Sequence, residues 1–202
     1  MIPTPTDHIA GVILAGGASS RFGSNKALAL YQGRPLIGHA AATLAEIFRH
    51  RLLVANHPDA YRFLDWPTAA DRFPGAGPLA GIHAALASIT VPHAFIIGCD
   101  MPFVSGPLVR FLCELADDWD AVVPWPGGRP EPLYALYHQR ALPVIAAALA
   151  AGDHKIGRIY QQLRVRQVEE AELLAVVPDL TTFLNVNRPA DLPGAGEKEA
   201  RR

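Results

Sequence analysis

Cysteine is nearly absent from this sequence: Cys99 and Cys113 are the only two, so at most one bridge can form, and neither stands at a metal-ligand spacing from another cysteine or a paired histidine. A disulfide scaffold and a cysteine-rich metal centre are thereby excluded, and a reducing compartment is expected. Charge of one sign is also missing. Eighteen Lys and Arg face nineteen Asp and Glu, a net charge of −1, which supplies no overall field to draw in a nucleic acid or an anionic membrane. No run approaches the roughly 18 continuous apolar residues of a membrane span, and the first residues lack a basic region followed by an apolar stretch. A soluble cytoplasmic protein is expected. No internal repeat is present, and the eight histidines form no metal-ligand pattern.

What is abundant is apolar sequence and punctuation. Half of the residues are hydrophobic, which excludes disorder for most of the chain; only 18% are charged, and 17 Gly and 18 Pro supply more turns than a helical bundle needs. Apolar runs of strand length (9–14, 52–56, 93–98, 121–123, 133–137 and 183–186) alternate with segments of helical length (36–48, 79–89, 108–116, 141–150 and 156–163). That alternation predicts an α/β fold with a largely parallel sheet. Several strands are apolar throughout, as expected where helices cover both faces. Pro35, Pro78 and Pro107 stand where a first helical turn tolerates proline.

Chemistry concentrates at four places. The segment from Leu14, Ala15, Gly16 and Gly17 through Arg21 to Lys26 leaves an apolar strand, delivers small residues and then two cations. It reads either as a surface turn or as a phosphate cradle, with backbone N–H groups and two positive charges along a triphosphate. Neither G-x-x-x-x-G-K-[ST] nor G-x-G-x-x-G is present, so a P-loop and a Rossmann dinucleotide site are unsupported. Asp100 follows the strand 93–98, at the carboxyl end where open α/β sheets bind ligands. It is either a turn former or a metal ligand; Mg²⁺ needs only one or two carboxylates beside phosphates and water. Asn185 and Asn187 are two apart, so on a strand their amides share one face; otherwise they begin a turn. Asn56 and Asp71 cap loops or read a base, since a carboxylate can accept from the adjacent N1–H and N2–H₂ of guanine. The stretch 77–81 opens a helix whose N-terminal partial charge favours an anion.

These stretches, in order, resemble a known family. The pattern L-A-G-G-x-x-x-R-F-G-x-x-K over residues 14–26 is similar to the nucleotidyltransferase signature of the molybdenum cofactor guanylyltransferases, the MobA family. Asn56, Asp71, G-P-L-A-G (77–81), C-D-M-P-F (99–103), P-L-Y-A-L-Y (132–137) and F-L-N-V-N-R-P (183–189) follow as its other landmarks. The resemblance spans residues 9–192. It implies a three-layer Rossmann-like nucleotidyltransferase fold in one domain, 1–192, with a flexible tail at 193–202. It implies transfer of GMP from GTP to the phosphate of molybdopterin, or of molybdenum-loaded molybdopterin, with release of pyrophosphate. Mg²⁺ on Asp100 is the implied cofactor. Arg21, Lys26, Asp100, Asn185 and Asn187 are the implied catalytic residues, and Leu14, Ala15, Gly16, Lys26, Asn56, Asp71 and Asp100 the GTP-binding set.

Partners are expected among other cofactor-biosynthesis proteins and acceptor molybdoenzymes, with no nucleic acid and no membrane. Two departures stand out: Asn25 where the family often has an acid, and Phe22 where methionine is common. Arg129, Glu131 and Lys155 are polar positions able to reach an acceptor. Competing readings are a relative using CTP or a sugar phosphate, and a noncatalytic nucleotide-binding carrier.

Overall fold

The computed structural model describes residues 5–16, 25–187 and 191. After a 3₁₀ turn at Pro5–His8, strand β1 (Ile9–Leu14) is buried along its whole length. A second 3₁₀ turn (Lys26–Leu28) leads into a two-stranded hairpin, β2 (Leu30–Tyr31) and β3 (Arg34–Pro35), and then α1 (Leu36–Ile47). The chain continues through β4 (His50–Val54), β5 (Thr68–Ala69), α2 (Pro78–Ser88), β6 (His93–Gly98) and α3 (Gly106–Glu114). It finishes with β7 (Ala121–Trp125), β8 (Tyr134–His138), α4 (Leu142–Ala150), α5 (Ile156–Ile159), β9 (Val165–Glu169) and α6 (Glu170–Leu174).

Seven strands form the main sheet in the order β5-β4-β1-β6-β8-β7-β9. Four of the six pairings are parallel; β8 alone runs antiparallel, between β6 and β7. From β1 the chain proceeds to β4 on one side and to β6 on the other, so the order reverses at β1. Ligands of open α/β sheets bind at such a reversal, beyond the carboxyl ends of the strands.

Two apolar clusters sandwich the sheet. One joins Ile9 and Ile13 of β1 to Ile37, Ala40 and Leu44 of α1 and Leu108, Val109 and Leu112 of α3. The other joins Ala10, Val12 and Leu14 to Leu79, Ile82 and Leu86 of α2 and Ile145 and Leu149 of α4. Alternate β1 side chains feed opposite clusters, as a period of two requires, and because both faces are covered the strand reads as continuously apolar.

β1 and β6 have the bounds expected from sequence, and the other matching elements differ by one or two residues at an end. Several expectations fail. No strand forms at 183–186: a 3₁₀ turn (Thr181–Phe183) is followed by irregular chain. The helix expected over 156–163 is split into α5 and a 3₁₀ turn at Tyr160–Gln162. Pro35 caps α1 rather than entering its first turn, whereas Pro78 and Pro107 stand within the first two helical positions. The hairpin, β5, β9 and α6 are additional to the expected elements. The anticipated tail lies outside the described residues.

Candidate active site

The carboxyl-terminal rim gathers residues from four distant stretches. Cys99 N–H donates to the Leu14 carbonyl (3.1 Å) and Ala15 N–H to that of Val54 (2.8 Å), so the ends of β1, β4 and β6 are laced together just below the surface. Asp100 stands in the turn beyond β6, closed by Met101 N–H on the Gly98 carbonyl (3.2 Å). A Cβ built at Gly98 would lie 2.6 Å from Asp100 Oδ1, so only glycine there lets the carboxylate fold back over the strand end.

Lys26 opens the 3₁₀ turn after the loop. Asn25 fixes that turn: its Oδ1 accepts from Ala27 N–H (3.2 Å) and its Nδ2 donates to the Tyr61 hydroxyl oxygen (2.9 Å). The departure at Asn25 thus supplies an amide donor that an acid would lack. Ala27 is buried, which turns the Lys26 side chain toward the rim. Its ammonium donates to Asp100 Oδ2 at 2.9 Å and to Asn187 Oδ1 at 2.8 Å, joining positions 74 and 161 residues apart. The Lys26 side chain is 14% exposed and that of Asp100 26%, so the pair is screened less than a surface ion pair but still reachable by solute. Among the described residues two of three ammonium protons are used, and one remains for a ligand.

Asn187 reaches Lys26 without a strand beneath it. Val186 is buried, its N–H donates to the Asp100 carbonyl (2.9 Å), and Asn185 and Asn187 on either side are exposed. The alternation expected of a strand therefore survives although the sheet pairing does not. Asn185 makes no side-chain hydrogen bond among the described residues and does not join the cluster.

Asn56 and Asp71 are brought together, and both make the loop-capping bonds that were one of their two expected readings. Asn56 Oδ1 accepts from Asp71 N–H (3.0 Å), and Asp71 Oδ1 accepts from Phe73 N–H (2.6 Å). Both build the loop entering α2; Asp71 Oδ1 is engaged once in doing so, and Oδ2 accepts no hydrogen bond from described residues. Gly77, at φ +70°, makes the final turn into α2, whose first turn has no side-chain cap. Beneath this loop the Phe73 ring meets the buried His83 edge-on, with centroids 5.0 Å apart.

Leu14 is buried in the core and offers its side chain to α2, while the Ala15 N–H is already bonded; of the expected strand-end residues, Gly16 is exposed with open space where a Cβ would stand. Arg21 and Gly17 lie outside the described residues. Glu131 is partly buried: burial raises its carboxyl above the usual range, the Leu133 N–H bond opposes this, and the nearby Asp100 charge adds to it. Arg129 and Lys155 are exposed. Burial first, then Asp100, pushes the Cys99 thiol up to about 12, so it is no nucleophile. Among the described residues no three His, Cys, Asp or Glu side chains could together hold a metal ion.

The sequence reading did not single out Gly98, nor the hydrogen-bonded ring that Tyr134 forms with Ser105 and Thr182. A glycine directly before C-D-M-P was a legible signal for the first; the second has none, because its members are 29 to 77 residues apart.

The model of the MobA-like NTP transferase domain matches residues 11–168. The chain belongs to the MobA-like NTP transferase family. A molybdenum cofactor guanylyltransferase of Desulfosudis oleivorans is 39% identical over 191 residues, covering 94% of this chain and 95% of that protein. The crystal structure of molybdopterin-guanine dinucleotide biosynthesis protein A from Archaeoglobus fulgidus superposes with a TM-score of 0.80 at 27% identity, covering 96% of this chain and all of that one. The three-layer MobA-like fold carries the Lys26, Asp100 and Asn187 cluster at its strand-order reversal. No helix among the described residues is long and apolar enough to cross a membrane.

Proposed function

We propose that this protein is a nucleotidyltransferase that moves GMP from GTP to the terminal phosphate of molybdopterin, forming the guanine dinucleotide cofactor and releasing pyrophosphate. The observation that carries this reading is the Lys26 ammonium held between Asp100 and Asn187 at the sheet's switch point. The guanylyltransferase name of its relatives supports the base and the acceptor.

The acceptor brings its own nucleophile. A phosphate monoester with a second pKa near 6 is largely dianionic at neutral pH, so no serine, histidine or cysteine needs activation. An acceptor oxygen forms the new bond to the α-phosphorus, the bond to the bridging oxygen of pyrophosphate breaks, and pyrophosphate leaves with the electron pair. The difficulty is mutual repulsion of two polyanions, and the remedy is positioned cations and donors in a site shielded from water.

Asp100 suits a divalent cation. Its Oδ1 accepts no hydrogen bond from described residues, and the Gly98 hydrogen leaves a space there that a Cβ would fill. Mg²⁺ held there through Asp100 would neutralise phosphate oxygens, in keeping with its preference for one or two carboxylates plus phosphates and water. Lys26 turns its free proton, and on ligand entry its other two, to the triphosphate. Arg21 precedes it in the sequence signature and serves the same phosphates. Asn187 orients Lys26, and Asn185 is left free to orient the acceptor phosphate. Gly16 admits the nucleotide close to the backbone beyond Leu14 and Ala15, while Asn56 and Asp71 shape the loop beside the base. The protein works in the cytoplasm, its thiols reduced, and hands its product to molybdoenzymes.

Incubation with Mg²⁺, molybdopterin and each of the four nucleoside triphosphates, followed by mass analysis, tests this. A GMP adduct from GTP with one pyrophosphate released is expected. Equal use of CTP would make it a cytidylyl relative, and absence of pyrophosphate in the presence of acceptor would make it a carrier.

A further inference from the structure

The segment that delivers Asn187 to the site has no strand pairing to hold it, and yet its register is fixed. Three far-apart residues form a closed ring of hydrogen bonds at its start. Ser105 N–H donates to Thr182 Oγ1 (3.1 Å), the Thr182 hydroxyl donates to the Tyr134 hydroxyl oxygen (3.1 Å), and the Tyr134 hydroxyl donates to the Ser105 carbonyl (3.3 Å). Thr182 is 4% exposed and Tyr134 0%. Ser105 is half-buried; its N–H is satisfied by Thr182, its carbonyl accepts from Tyr134 and from Val109 N–H (3.0 Å), and its Oγ caps α3 at Leu108 N–H.

Downstream of that ring the chain is held at few points. The Phe183 ring packs on Tyr134 at 5.0 Å between centroids, Val186 N–H meets the Asp100 carbonyl, the Asn187 side chain meets Lys26, and Asn187 N–H donates to Asp191 Oδ2 (2.7 Å). Apolar packing of Phe183 and Val186 does not by itself choose a register, because such contacts are non-directional. A slip of one residue would turn Asn187 inward and Val186 outward. The hydroxyl of Thr182 is directional: it must present a lone pair to one N–H and its proton to one oxygen.

We infer that Thr182 is a positioning residue for the transfer reaction, locking the segment 181–187 so that Asn187 holds Lys26 against Asp100. The inference rests on the function proposed above, and it carries a readout that does not. Thr182→Val keeps the shape and removes the hydroxyl; Thr182→Ser keeps the hydroxyl. Amide exchange at Val186 should speed up about tenfold or more in Thr182→Val and stay near the parent value in Thr182→Ser, while the amide of Ile96 in β6 is unchanged. Turnover should fall about tenfold in Thr182→Val with the KM for GTP little altered, recover in Thr182→Ser, and fall no further when Thr182→Val is added to Asn187→Ala.

Unchanged Val186 exchange, or a rise shared equally by Ile96, would overturn the inference, as would losses that multiply in the double variant. If the parent protein transfers no GMP, the functional reading fails, and Val186 exchange still decides the positioning role. Where Thr182→Val does not fold, Tyr134→Phe, which removes the phenol oxygen that receives the Thr182 proton, gives the same two readouts.

Discussion

At the amino-terminal rim of the sheet, Asp120 places Oδ1 against Arg140 Nε (3.1 Å) and Oδ2 against Arg164 N–H (3.0 Å). At the carboxyl-terminal rim, Asp100 places Oδ2 against Lys26 and gives Oδ1 to no described residue. Around Asp120 the same closure repeats: His138 Nδ1 accepts from Arg140 N–H, and Gln139 donates to the carbonyls of Leu86 and Ile89. Around Asp100, among the described residues, Asn185 makes no side-chain hydrogen bond and one Lys26 proton is unspent. The same residue types therefore do two jobs. Where polar groups close on one another they fasten strand ends, and where they keep capacity in reserve they can receive a ligand.

Lys26→Ala and Asp100→Ala should break the comparison most strongly. Losing one charge-stabilising group costs about 10²–10³ in turnover, and guanylyl transfer should fall by that much while the circular dichroism spectrum is kept; near-native turnover in either variant would remove its assigned role. Gly98→Ala tests the reserve on Asp100 alone. Its Cβ, 2.6 Å from Oδ1, must displace the carboxylate, and a shift near 1 Å can cost about 10² in rate. Unchanged turnover would show that the carboxylate's place is immaterial.

Much of this contrast was legible beforehand, and the reasons are specific. β1 and β6 are buried on both faces and bounded by turn residues, so their apolar runs ended where the strands end. Asp100 is legible as a ligand candidate because it follows such a strand, and its joint role with Lys26 is legible through the resemblance of the motifs that hold them. β9 went unread because V-R-Q-V-E lies at the sheet edge with mostly unburied side chains, a pattern that resembles loop. The opposite error occurred at 183–186, where the short apolar run of Phe183, Leu184 and Val186 mimics a strand but pairs with no strand of the described sheet. Asn56 and Asp71 were visible as polar loop residues, but sequence could not show that they would bond to each other's part of the chain. Glu131 lies beside Asp100 only because β8 returns antiparallel next to β6, a reversal no local pattern announces.

At the other rim the expected effects are smaller and concern stability. Asp120→Ala should lower unfolding free energy by about 1–3 kcal/mol, the usual cost of stripping charge-assisted bonds from a part-buried site, with kcat unchanged; denaturant titration and turnover together check this. A loss of kcat without destabilisation would put function at both rims.

His93 gives the smallest effect, a change of slope. Burial, then the neighbouring His138 and Arg140, push its pKa down to about 4, against weaker upward pulls from the Ala116 carbonyl and Asp117. Above pH 6.5 the imidazole is neutral whether the chain is folded or not. As pH falls from 6.5 toward 4 the unfolded chain takes up a proton that the folded protein refuses, so stability declines on acidification. His93→Phe keeps an aromatic ring against His138, now 4.5 Å away between centroids. Its melting temperature should drop less between pH 7 and 4.5 than the parent's, and parallel curves would contradict this.

The most direct measurement is a crystal structure with GTP and Mn²⁺ as an anomalous substitute for Mg²⁺. The triphosphate should lie along Gly16 and Lys26, with an anomalous peak at coordination distance from Asp100. A nucleotide seated elsewhere, as in the groove between α1 and α3 lined by Thr43, Glu46 and Arg110, with Lys26 still bonded to Asp100 and Asn187, would contradict the account.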